Sequence, residues 1–329
     1  MHPETARLPA EWARQTATLL AWPPADGDWG GRLVAIRQEY RQLIDCIRRF
    51  QTVIVLTPPD EPEVVADLSG RERVVCVPAS INDTWCRDYG PICLRTPHET
   101  LALDFHFNGW GGKYDASLDN QVNQTLAAQP LFADYRFQSM PFELEGGAIE
   151  SDGQGSLLIN WHCLQTRHPG LDRELLSREL VRLLAIDRVI GIDVAPTAGD
   201  DTDGHIDTLA RFVDQGTIAW QRQADPERSH LIETQLQALR RPDGKPYRLL
   251  ALPQPDGFDP SLPANYANFL FVNGACLVPA YGVAADSEAR TMLGLALPER
   301  EVISLPSAQL ISQFGSIHCA TMHIPEPQS

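Results

Sequence analysis

The chain has 329 residues, of which 43% are hydrophobic, and a formal net charge of −16 at pH 7. It is long and apolar enough to bury a sizeable core, which excludes an intrinsically disordered chain. The negative charge argues against a nucleic acid partner, because phosphate binding requires basic patches; it suits a cationic ligand, and solubility alone also accounts for it. The sequence contains neither a run of ~20 apolar residues that could span a membrane nor a signal-peptide core, so we expect a cytoplasmic protein without a membrane partner.

Helical and strand patterns alternate along the whole chain. Apolar residues at spacings of three and four predict helices over residues 31–50, 172–185, 226–241 and 287–297. Short apolar or alternating runs predict strands at 53–56, 74–77, 101–107, 189–192, 248–252 and 302–305. This alternation is typical of an α/β fold, and the lack of a low-complexity linker predicts a single domain over residues 1–329. The helix-and-strand unit recurs, although its copies share no clear sequence similarity.

Seven scattered cysteines are candidates for chemistry: Cys46, Cys76, Cys86, Cys93, Cys163, Cys276 and Cys319. Their odd number and the lack of a close C-x-x-C pair argue against a disulfide framework or a zinc cluster and predict free thiols. Cys76 and Cys276 lie in apolar strand patterns and fit buried, inert thiols. Cys319 instead follows a small polar turn that begins at Gly315, and this setting makes it a candidate nucleophile.

Two segments place a tryptophan among polar or glycine residues. Asn82–Pro91 follows a predicted strand and has Trp85 three residues before Asp88, an aromatic face beside a carboxylate that would suit a planar cation. A structural salt bridge between Arg87 and Asp88 is the alternative. A later glycine-rich stretch contains Trp110, where the glycines would allow close approach to a ligand or would form a plain turn.

Two further segments place acids beside glycines or a histidine. Glu145 directly precedes Gly146 and a second glycine, where its carboxylate could orient a histidine or lie exposed in a turn. In the acidic stretch 199–207, His205 and Asp207 would point to one face of a sheet if the segment is extended. The stretch lacks the spacing and final glutamate of a calcium loop, so we expect no metal. These residues add a general acid or base and several carboxylates to the candidate nucleophile.

The order of five motifs resembles the agmatine deiminase and bacterial peptidylarginine deiminase-like family of guanidino-modifying enzymes. The motifs are W-x-R-D-x-G-P at 85–91, F-N-x-W-G-G at 107–112, E-G-G-x-I at 145–149, G-D-D-T-x-G-H-x-D at 199–207 and I-H-C at 317–319. The resemblance extends over nearly the whole chain. It implies a five-bladed α/β propeller, the pentein fold, in which five ββαβ units surround a central active site. It also implies a homo-oligomer, a dimer or larger, and a reaction that needs neither a metal nor an organic cofactor.

The resemblance further assigns roles to the matching residues. Cys319 would be the nucleophile, His205 the general acid and base, and Glu145 the carboxylate that orients the histidine. Asp88 and Asp207 would hold the guanidinium nitrogens. The other residues expected around the substrate are Trp85, Trp110, Gly146 and Gly315.

The expected substrate is a small cationic guanidine, with agmatine first: its hydrolysis through an amidino-cysteine intermediate would yield N-carbamoylputrescine and ammonia. Residues 113–116, 313–316 and 322–323 depart from the pattern of the agmatine-specific members. Arginine in peptides or another small guanidine therefore remains an alternative substrate. Alternatives of other classes are a non-catalytic binder of polyamine-like cations, which would need neither the cysteine nor the histidine, and a papain-like amidase, which would leave the aspartates unexplained.

Overall fold

Short strands and helices alternate through the computed structural model, which describes residues 6–197 and 199–327. The strands are β1 (Gln15–Ala21), β2 (Thr52–Thr57), β3 (Val74–Pro78), β4 (Ile92–Arg95), β5 (Thr100–His106), β6 (Tyr135–Glu143), β7 (Ile149–Ser151), β8 (Ser156–Asn160), β9 (Arg188–Ile192), β10 (Ala210–Asp214), β11 (Thr217–Gln221), β12 (Arg248–Leu252), β13 (Leu270–Val272), β14 (Ala275–Ala280), β15 (Glu301–Pro306) and β16 (Thr321–Pro325). The helices are α1 (Leu33–Ile47), α2 (Pro62–Leu68), α3 (Gly109–Gly112), α4 (Val122–Ala127), α5 (Trp161–Arg167), α6 (Arg173–Leu184), α7 (Pro226–Ala238) and α8 (Ala285–Ala296). Within the described residues, no helix is both long and apolar enough to cross a membrane.

The predicted helices and strands are all present, and local chemistry explains where the helices begin. Asp172 precedes α6, and its side chain accepts a hydrogen bond from the backbone N–H of Leu175 at 2.9 Å. Before α7, the side chain of Asp225 accepts a hydrogen bond from the backbone N–H of Glu227, and Pro226 lies in the first turn of this helix. Such caps satisfy N–H groups that have no partner inside the helix. These caps therefore determine where the two helices begin, which the spacing of apolar residues alone does not.

Five small sheets share one connectivity. Their strand orders are β16-β1-β2-β3, β4-β5-β6, β7-β8-β9, β10-β11-β12 and β13-β14-β15. In each three-stranded sheet the central strand pairs antiparallel with one neighbour and parallel with the next, and β1 does the same in the first sheet, where β2 and β3 form a further parallel pair. A parallel pair needs a long crossover, and in every sheet that crossover contains a helix. The recurring unit predicted from the sequence is therefore a ββαβ unit.

The first sheet is built from both ends of the chain. β1 pairs antiparallel with β16, from Gln15 opposite Pro325 to Leu20 opposite Thr321. β1 also pairs in parallel with β2, so it lies inside the sheet. The arrangement of five units therefore closes only when the first and last strands meet.

The central strands are buried on both faces. All residues of β8 and β11 are buried. The alternation predicted for residues 101–107 is correct only in part, because β5 is buried continuously from Thr100 to Leu103 and alternates only afterwards. Burial of consecutive residues means that both faces of these strands are covered, which removes the solvent-facing side that alternation requires.

Charged side chains are also buried where the units meet. Glu11 accepts hydrogen bonds from Arg87 Nη2 at 3.0 Å and from Arg211 Nη2 at 3.1 Å. Arg211 Nε donates to Glu150 Oε2 at 2.6 Å, and His318 Nε2 lies 2.8 Å from Glu11 Oε2. These residues come from separate parts of the chain and are buried. A network of this kind fixes how its segments are oriented, because each buried charge must face its partner.

We expect Arg211→Met to lower the free energy of unfolding by about 3–5 kcal/mol, because it leaves Glu11 and Glu150 buried without their common partner. Urea denaturation followed by circular dichroism would measure the change. Arg182→Met is the matched control: Arg182 pairs with Glu179 at the surface, where a change of at most about 1 kcal/mol is expected. Equal effects of the two substitutions would contradict a structural role for the buried network.

Candidate active site

The candidate site residues lie on the connections that lead from one sheet to the next. These connections carry Trp85 and Asp88 (β3 to β4), Glu145 and Gly147 (β6 to β7), His205 and Asp207 (β9 to β10), Asn268 (β12 to β13), and His318 and Cys319 (β15 to β16). Hydrogen bonds join residues from all five connections at one centre. Trp110 reaches the same centre from α3. Repetition of the unit thus places one loop of each copy at the site.

Cys319 lines a cavity, although only 8% of its surface is exposed. Its Sγ accepts a hydrogen bond from Asn268 Nδ2 at 3.2 Å and lies 3.6 Å from Asp207 Oδ2. The backbone N–H of Cys319 donates to Asn268 Oδ1 at 3.2 Å, and its carbonyl accepts from the N–H of Arg87 at 3.2 Å. The sulfur is therefore held between an amide donor and a carboxylate.

His205 is buried and oriented by Glu145. Its Nε2 lies 2.7 Å from Glu145 Oε2, while Glu145 Oε1 accepts from Arg167 Nε at 2.6 Å. A carboxylate paired with a buried guanidinium is ionised and only accepts, so Nε2 is the donor. Arg167 also donates to Asp203 Oδ2 at 2.5 Å. Nδ1 of His205 has no hydrogen-bond partner among the described residues and lies 3.7 Å from Asp88 Oδ1.

Asp88 and Asp207 are buried carboxylates that are fixed by neighbours but keep unused lone pairs. Asp88 accepts hydrogen bonds from Trp110 Nε1 at 3.0 Å and from the N–H of Gly147 at 2.9 Å. Asp207 Oδ2 lies 2.7 Å from His318 Nδ1, whereas its Oδ1 has no partner within the described part of the chain. A carboxylate held in this way is ready for a further donor.

Gly147 borders the space between these groups. A Cβ at this position would lie 2.5 Å from His205 Nδ1, 2.9 Å from Asp88 Oδ1 and 3.2 Å from Asp207 Oδ2. Gly146, which the resemblance places around the substrate, faces elsewhere: its Cβ would lie 2.2 Å from a backbone carbonyl oxygen. Gly146 thus permits close packing against the backbone, and Gly147 leaves room at the polar centre.

A cavity of about 530 Å³ leads to this centre, and its lining includes Trp85, Asp88 and Cys319. Trp85 forms an aromatic wall and packs against Trp29 with ring centroids 6.0 Å apart. Gly315 also lines the cavity and lies against the indole of Trp85, where a Cβ would approach the ring to 2.4 Å. A planar ligand could therefore lie beside the indole while it reaches the sulfur.

The lining of the cavity is strongly acidic. Its carboxylates belong to Asp28, Asp83, Asp88, Asp200, Asp201 and Asp225. Arg228 is the one cationic side chain among the lining residues that the structure describes, and it interacts electrostatically with two of these acids. A cavity lined mainly by one sign of charge concentrates ligands of the opposite sign. This lining favours a cation.

The buried charges determine which groups are protonated before a ligand binds. Burial raises the pKa of the Cys319 thiol well above its ordinary value, and Asp207 and Asp88 raise it further. Burial opposes the charge on His205, but Asp88 and other neighbours outweigh it and raise the pKa well above the usual range. Burial also raises the pKa of Asp88 to about 6. These directions favour a neutral thiol beside an imidazolium at neutral pH.

A profile of the Porphyromonas-type peptidyl-arginine deiminases matches residues 7–325. The chain belongs to this family. The agmatine deiminase of Pseudomonas putida is 32% identical over 355 residues, which cover 97% of this chain and 95% of that protein. The agmatine deiminase of Stutzerimonas stutzeri is 32% identical over 353 residues, with 97% and 95% covered. The family resemblance predicted from the five motifs is therefore confirmed.

A solved structure extends the likeness to three dimensions. A cysteine-to-serine variant of the agmatine deiminase of C. jejuni with substrate bound has a TM-score of 0.89 and 32% sequence identity, and the match covers 98% of this chain and 96% of that one. Together with the five ββαβ sheets, this similarity confirms the pentein fold that the resemblance implied.

The segment that contains His205 and Asp207 is not extended, so the strand conformation considered from the sequence is wrong. His205 precedes a 3-10 turn formed by Ile206–Thr208, so Asp207 lies within that turn. The two side chains therefore meet because the chain turns tightly, and strand alternation plays no part. Gly204 before them has a φ of +90°, a value that favours glycine and permits the sharp entry into the turn.

The hydrogen bonds show whether Arg87 pairs with Asp88 and what the acids of the 199–207 stretch contact. Arg87 does not pair with Asp88: its Nη2 donates to Glu11 Oε2 at 3.0 Å. In the acidic stretch, Asp201 accepts from Tyr114 Oη at 2.6 Å, and Asp203 accepts from Lys113 Nζ at 2.8 Å. These two carboxylates therefore already accept hydrogen bonds from side chains of the protein.

One group of described residues could hold a metal by proximity alone. Ligand atoms of Glu145, Cys163 and His205 lie within 4.8 Å of one another. The Glu145 carboxylate is shared between His205 and the Arg167 guanidinium, whose positive charge would repel a metal cation. The donor set is thus better suited to orienting the histidine.

Some residues of the site were missed by sequence reasoning. Asn268 contacts the sulfur, His318 and Glu11 continue the network behind Asp207, and Arg167 supports Glu145. His318 lies inside a recognised motif, yet it had no assigned role. Asn268 lies on the fourth connection between sheets, equivalent to the loops that carry the other site residues. The repeat could have revealed it if the units had shared sequence.

We expect iodoacetamide to label Cys319 slowly near neutral pH and much faster only at more alkaline pH than an ordinary thiol requires, because burial and two carboxylates raise the pKa of its thiol. Asp207→Asn should shift this increase to lower pH, since it removes the charge 3.6 Å from Sγ. Peptide mass spectrometry would measure the rates. Asp243→Asn, in an exposed turn, is the control and should leave the profile unchanged. Rapid labelling of ligand-free wild-type protein near neutral pH would contradict the inferred resting state.

Proposed function

We propose that the protein is an agmatine deiminase that hydrolyses agmatine to N-carbamoylputrescine and ammonia. The observation that carries this proposal is the convergence of the carboxylates of Asp88 and Asp207, the unpartnered Nδ1 of His205 and the Cys319 sulfur beside Gly147, at an acidic cavity that Asp88 and Cys319 line. A nucleophile, two carboxylates and an acid–base group are what hydrolysis of a charged guanidinium requires. The similarity to agmatine deiminases over nearly the whole chain supports the same reaction.

Recognition of the guanidinium falls to Asp88 and Asp207. Each has accepting capacity left after its contacts with the protein. Paired hydrogen bonds from planar N–H groups to two carboxylates fix both the position and the plane of the guanidinium. Cys319 Sγ can then approach the central carbon from outside that plane, with the indole of Trp85 lining the way in.

Binding of the cation activates the nucleophile. In the empty site, Asp207 and Asp88 hold the thiol of Cys319 in its neutral form. A guanidinium between these carboxylates neutralises them, so the cost of a thiolate falls and the thiol of Cys319 gives its proton to water in the cavity that this residue lines; the sulfur takes a proton back when the ureido product leaves. The thiolate adds to the guanidinium carbon and forms a tetrahedral intermediate. The nucleophile is thus fully reactive only when a cationic substrate is present.

His205 supplies the protons for departure of ammonia and for hydrolysis. As an imidazolium, it donates a proton to the leaving nitrogen, and the C–N bond breaks to give an amidino-cysteine. The neutral histidine then takes a proton from water, which attacks the same carbon. Collapse of this second intermediate breaks the C–S bond, regenerates Cys319 and releases the ureido product. Glu145 keeps the ring in place through both steps, and Arg167 keeps Glu145 ionised.

The acidic lining favours agmatine over free arginine. Agmatine carries an amine at the end where arginine carries a carboxylate as well, and the cavity offers mostly aspartates to that end. Tyr114, Gln313 and Phe314 also line the cavity, and they belong to the segments that depart from the agmatine-specific pattern. The cavity has a volume of about 530 Å³, which is larger than a small guanidino-amine such as agmatine needs. Peptidyl-arginine is therefore the second candidate substrate.

All five units contribute to the site, and for this reason we place residues 1–329 in one catalytic domain. We assign the reaction to the cytoplasm and to putrescine formation. We also propose a homo-oligomer, following the family resemblance. No group in the scheme above requires a cofactor.

We expect wild-type protein to release ammonia and ureido product from agmatine, with little or no release from arginine and from a blocked arginine peptide. Cys319→Ala should abolish turnover, because Cys319 is the one cysteine among the described residues that line the cavity and a thiolate is needed for the covalent intermediate. Colorimetric ureido and ammonia assays would measure both products. Turnover of the peptide alone would assign the protein to peptidyl-arginine deimination, and activity that survives in the variant would reject the covalent mechanism.

Gly147→Ala should reduce kcat/KM for agmatine about 100-fold, because the added Cβ would enter the space between His205, Asp88 and Asp207. Steady-state kinetics would measure the loss. Gly170→Ala is the matched control, since no atom lies within 4 Å of a Cβ at that position. Unchanged kinetics of a folded Gly147→Ala protein would place the guanidinium elsewhere.

A further inference from the structure

Two exposed aromatic side chains lie where the acidic cavity meets the solvent. Among the large hydrophobic side chains that are exposed in the described part of the chain, Tyr114 and Phe314 are the aromatic ones, and both line the cavity. A hydrogen bond from Tyr114 Oη to Asp201 explains the position of the first. Phe314 has no polar group, and 40% of its surface is exposed. An exposed apolar ring beside a cavity indicates a role in what enters that cavity.

The backbone at Phe314 has a conformation that favours glycine. The residue follows the 3-10 turn Leu310–Gln313 and has a φ of +65°. This left-handed conformation is unfavourable for any residue with a Cβ, and a phenylalanine side chain cannot offset it by a local hydrogen bond. The backbone alone would therefore prefer glycine here. A phenylalanine held in this conformation points to a use for its ring.

Three consecutive residues hold this segment against separate parts of the cavity wall. Gln313 Nε2 donates to the carbonyl oxygen of Asp28 at 2.8 Å. A Cβ on Gly199 would lie 2.9 Å from Cε1 of Phe314, so the ring packs directly against that glycine. The residue after Phe314 is the glycine that lies against the indole of Trp85. The ring therefore closes the gap between the segment that precedes the nucleophile and the acidic stretch that begins with Gly199.

The ring lies on the solvent side of the reacting centre. Gly315 is buried and Phe314 is exposed, so the chain passes from the inner wall of the cavity to its rim within one residue. When a guanidinium lies at Asp88 and Cys319, the chain that trails behind it extends towards this rim. Agmatine and peptidyl-arginine share the guanidine and three methylenes. They differ at the next carbon, which is a further methylene in agmatine and the branched Cα, with peptide on both sides, in a protein substrate.

We propose that Phe314 is a specificity-determining residue, whose ring narrows the cavity beside Gly199 and so admits guanidines with an unbranched chain to Cys319 while it excludes peptidyl-arginine. This inference deepens the proposed function and rests on it for the reaction, but access to the sulfur can be measured without turnover. The ring acts by occupying space, so its removal changes which molecules reach the sulfur by their size.

Phe314→Gly removes the ring and suits a φ of +65°, so the segment keeps its conformation. Phe314→Asn is a second variant, because asparagine also adopts this conformation and is less flexible than glycine. Peptide mass spectrometry would measure the rates at which Cys319 is alkylated, at alkaline pH, by iodoacetamide and by an uncharged iodoacetamide that carries biotin. The rate with the bulky reagent divided by the rate with the small one should rise at least about tenfold in both variants. Both reagents attack the same thiol, so this ratio does not depend on the pKa of the thiol.

Steady-state kinetics extend the comparison to substrates. In Phe314→Gly, kcat/KM for a blocked arginine peptide divided by kcat/KM for agmatine should rise at least about tenfold. Phe314→Tyr keeps an aromatic ring of the same width and should keep both ratios low.

Arg73→Gly is the matched control. Arg73 is also exposed and has a φ of +61°, but it lies away from the described lining of the cavity. This substitution changes a left-handed residue to glycine without removing a side chain from the rim, so it should keep both wild-type ratios. Thermal unfolding of each variant establishes that it is folded.

The outcomes separate this inference from the proposed function. If folded Phe314→Gly and Phe314→Asn proteins keep the wild-type alkylation ratio, or if the wild type reacts equally fast with both reagents, Phe314 does not restrict access. A higher alkylation ratio without any gain for the peptide over agmatine would contradict a role in the choice of substrate. If the wild type turns over none of the guanidines, the proposed function fails; a higher alkylation ratio in both variants would still support restriction by Phe314, because alkylation does not depend on the substrate.

Discussion

The site depends on buried negative charge that the protein leaves partly unbalanced. Asp88, Asp207 and Glu145 lie close together and are buried away from bulk water, and of these three only Glu145 is paired with an arginine. Asp207 has His318 behind it, and Asp88 is held by an indole N–H and a backbone N–H. Leaving carboxylates without full compensation is costly, and in the proposed reaction that cost is the source of affinity for a guanidinium. The same charge suppresses the thiolate until the cation arrives, so binding and activation share one cause.

Support for this charge comes from far along the chain. Glu11 lies before the first strand, yet it contacts Arg87, Arg211 and His318, which belong to three other regions. His318 has a carboxylate at each ring nitrogen, so the ring bridges Glu11 to Asp207. The orientation of a carboxylate that faces the substrate is thereby linked to the packing of the N-terminal segment. Buried ionic contacts of this kind specify one arrangement of the units.

Much of the fold and of the candidate site was predictable from the sequence. The helices and strands could be recognised because their apolar periodicity reflects burial directly, and ordered motifs indicated Cys319, His205, Asp88 and Asp207. The five-unit arrangement could not be derived from periodicity, because the copies share a connectivity but no clear sequence pattern. Asn268 could not be distinguished from any other loop asparagine, since its importance lies in an amide whose partners come from a distant segment.

The pairing of β1 with β16 has a consequence for synthesis of the protein. β1 is the first of the described strands to be made, whereas its antiparallel partner is the last of them. Until that partner has been made, one edge of β1 presents unpaired backbone groups, which invite pairing with other chains. Cys319, the proposed nucleophile, lies two residues before β16, so it is added only just before that strand. The pairing that joins the first unit to the last therefore becomes possible at the same point of synthesis as the loop that completes the candidate site.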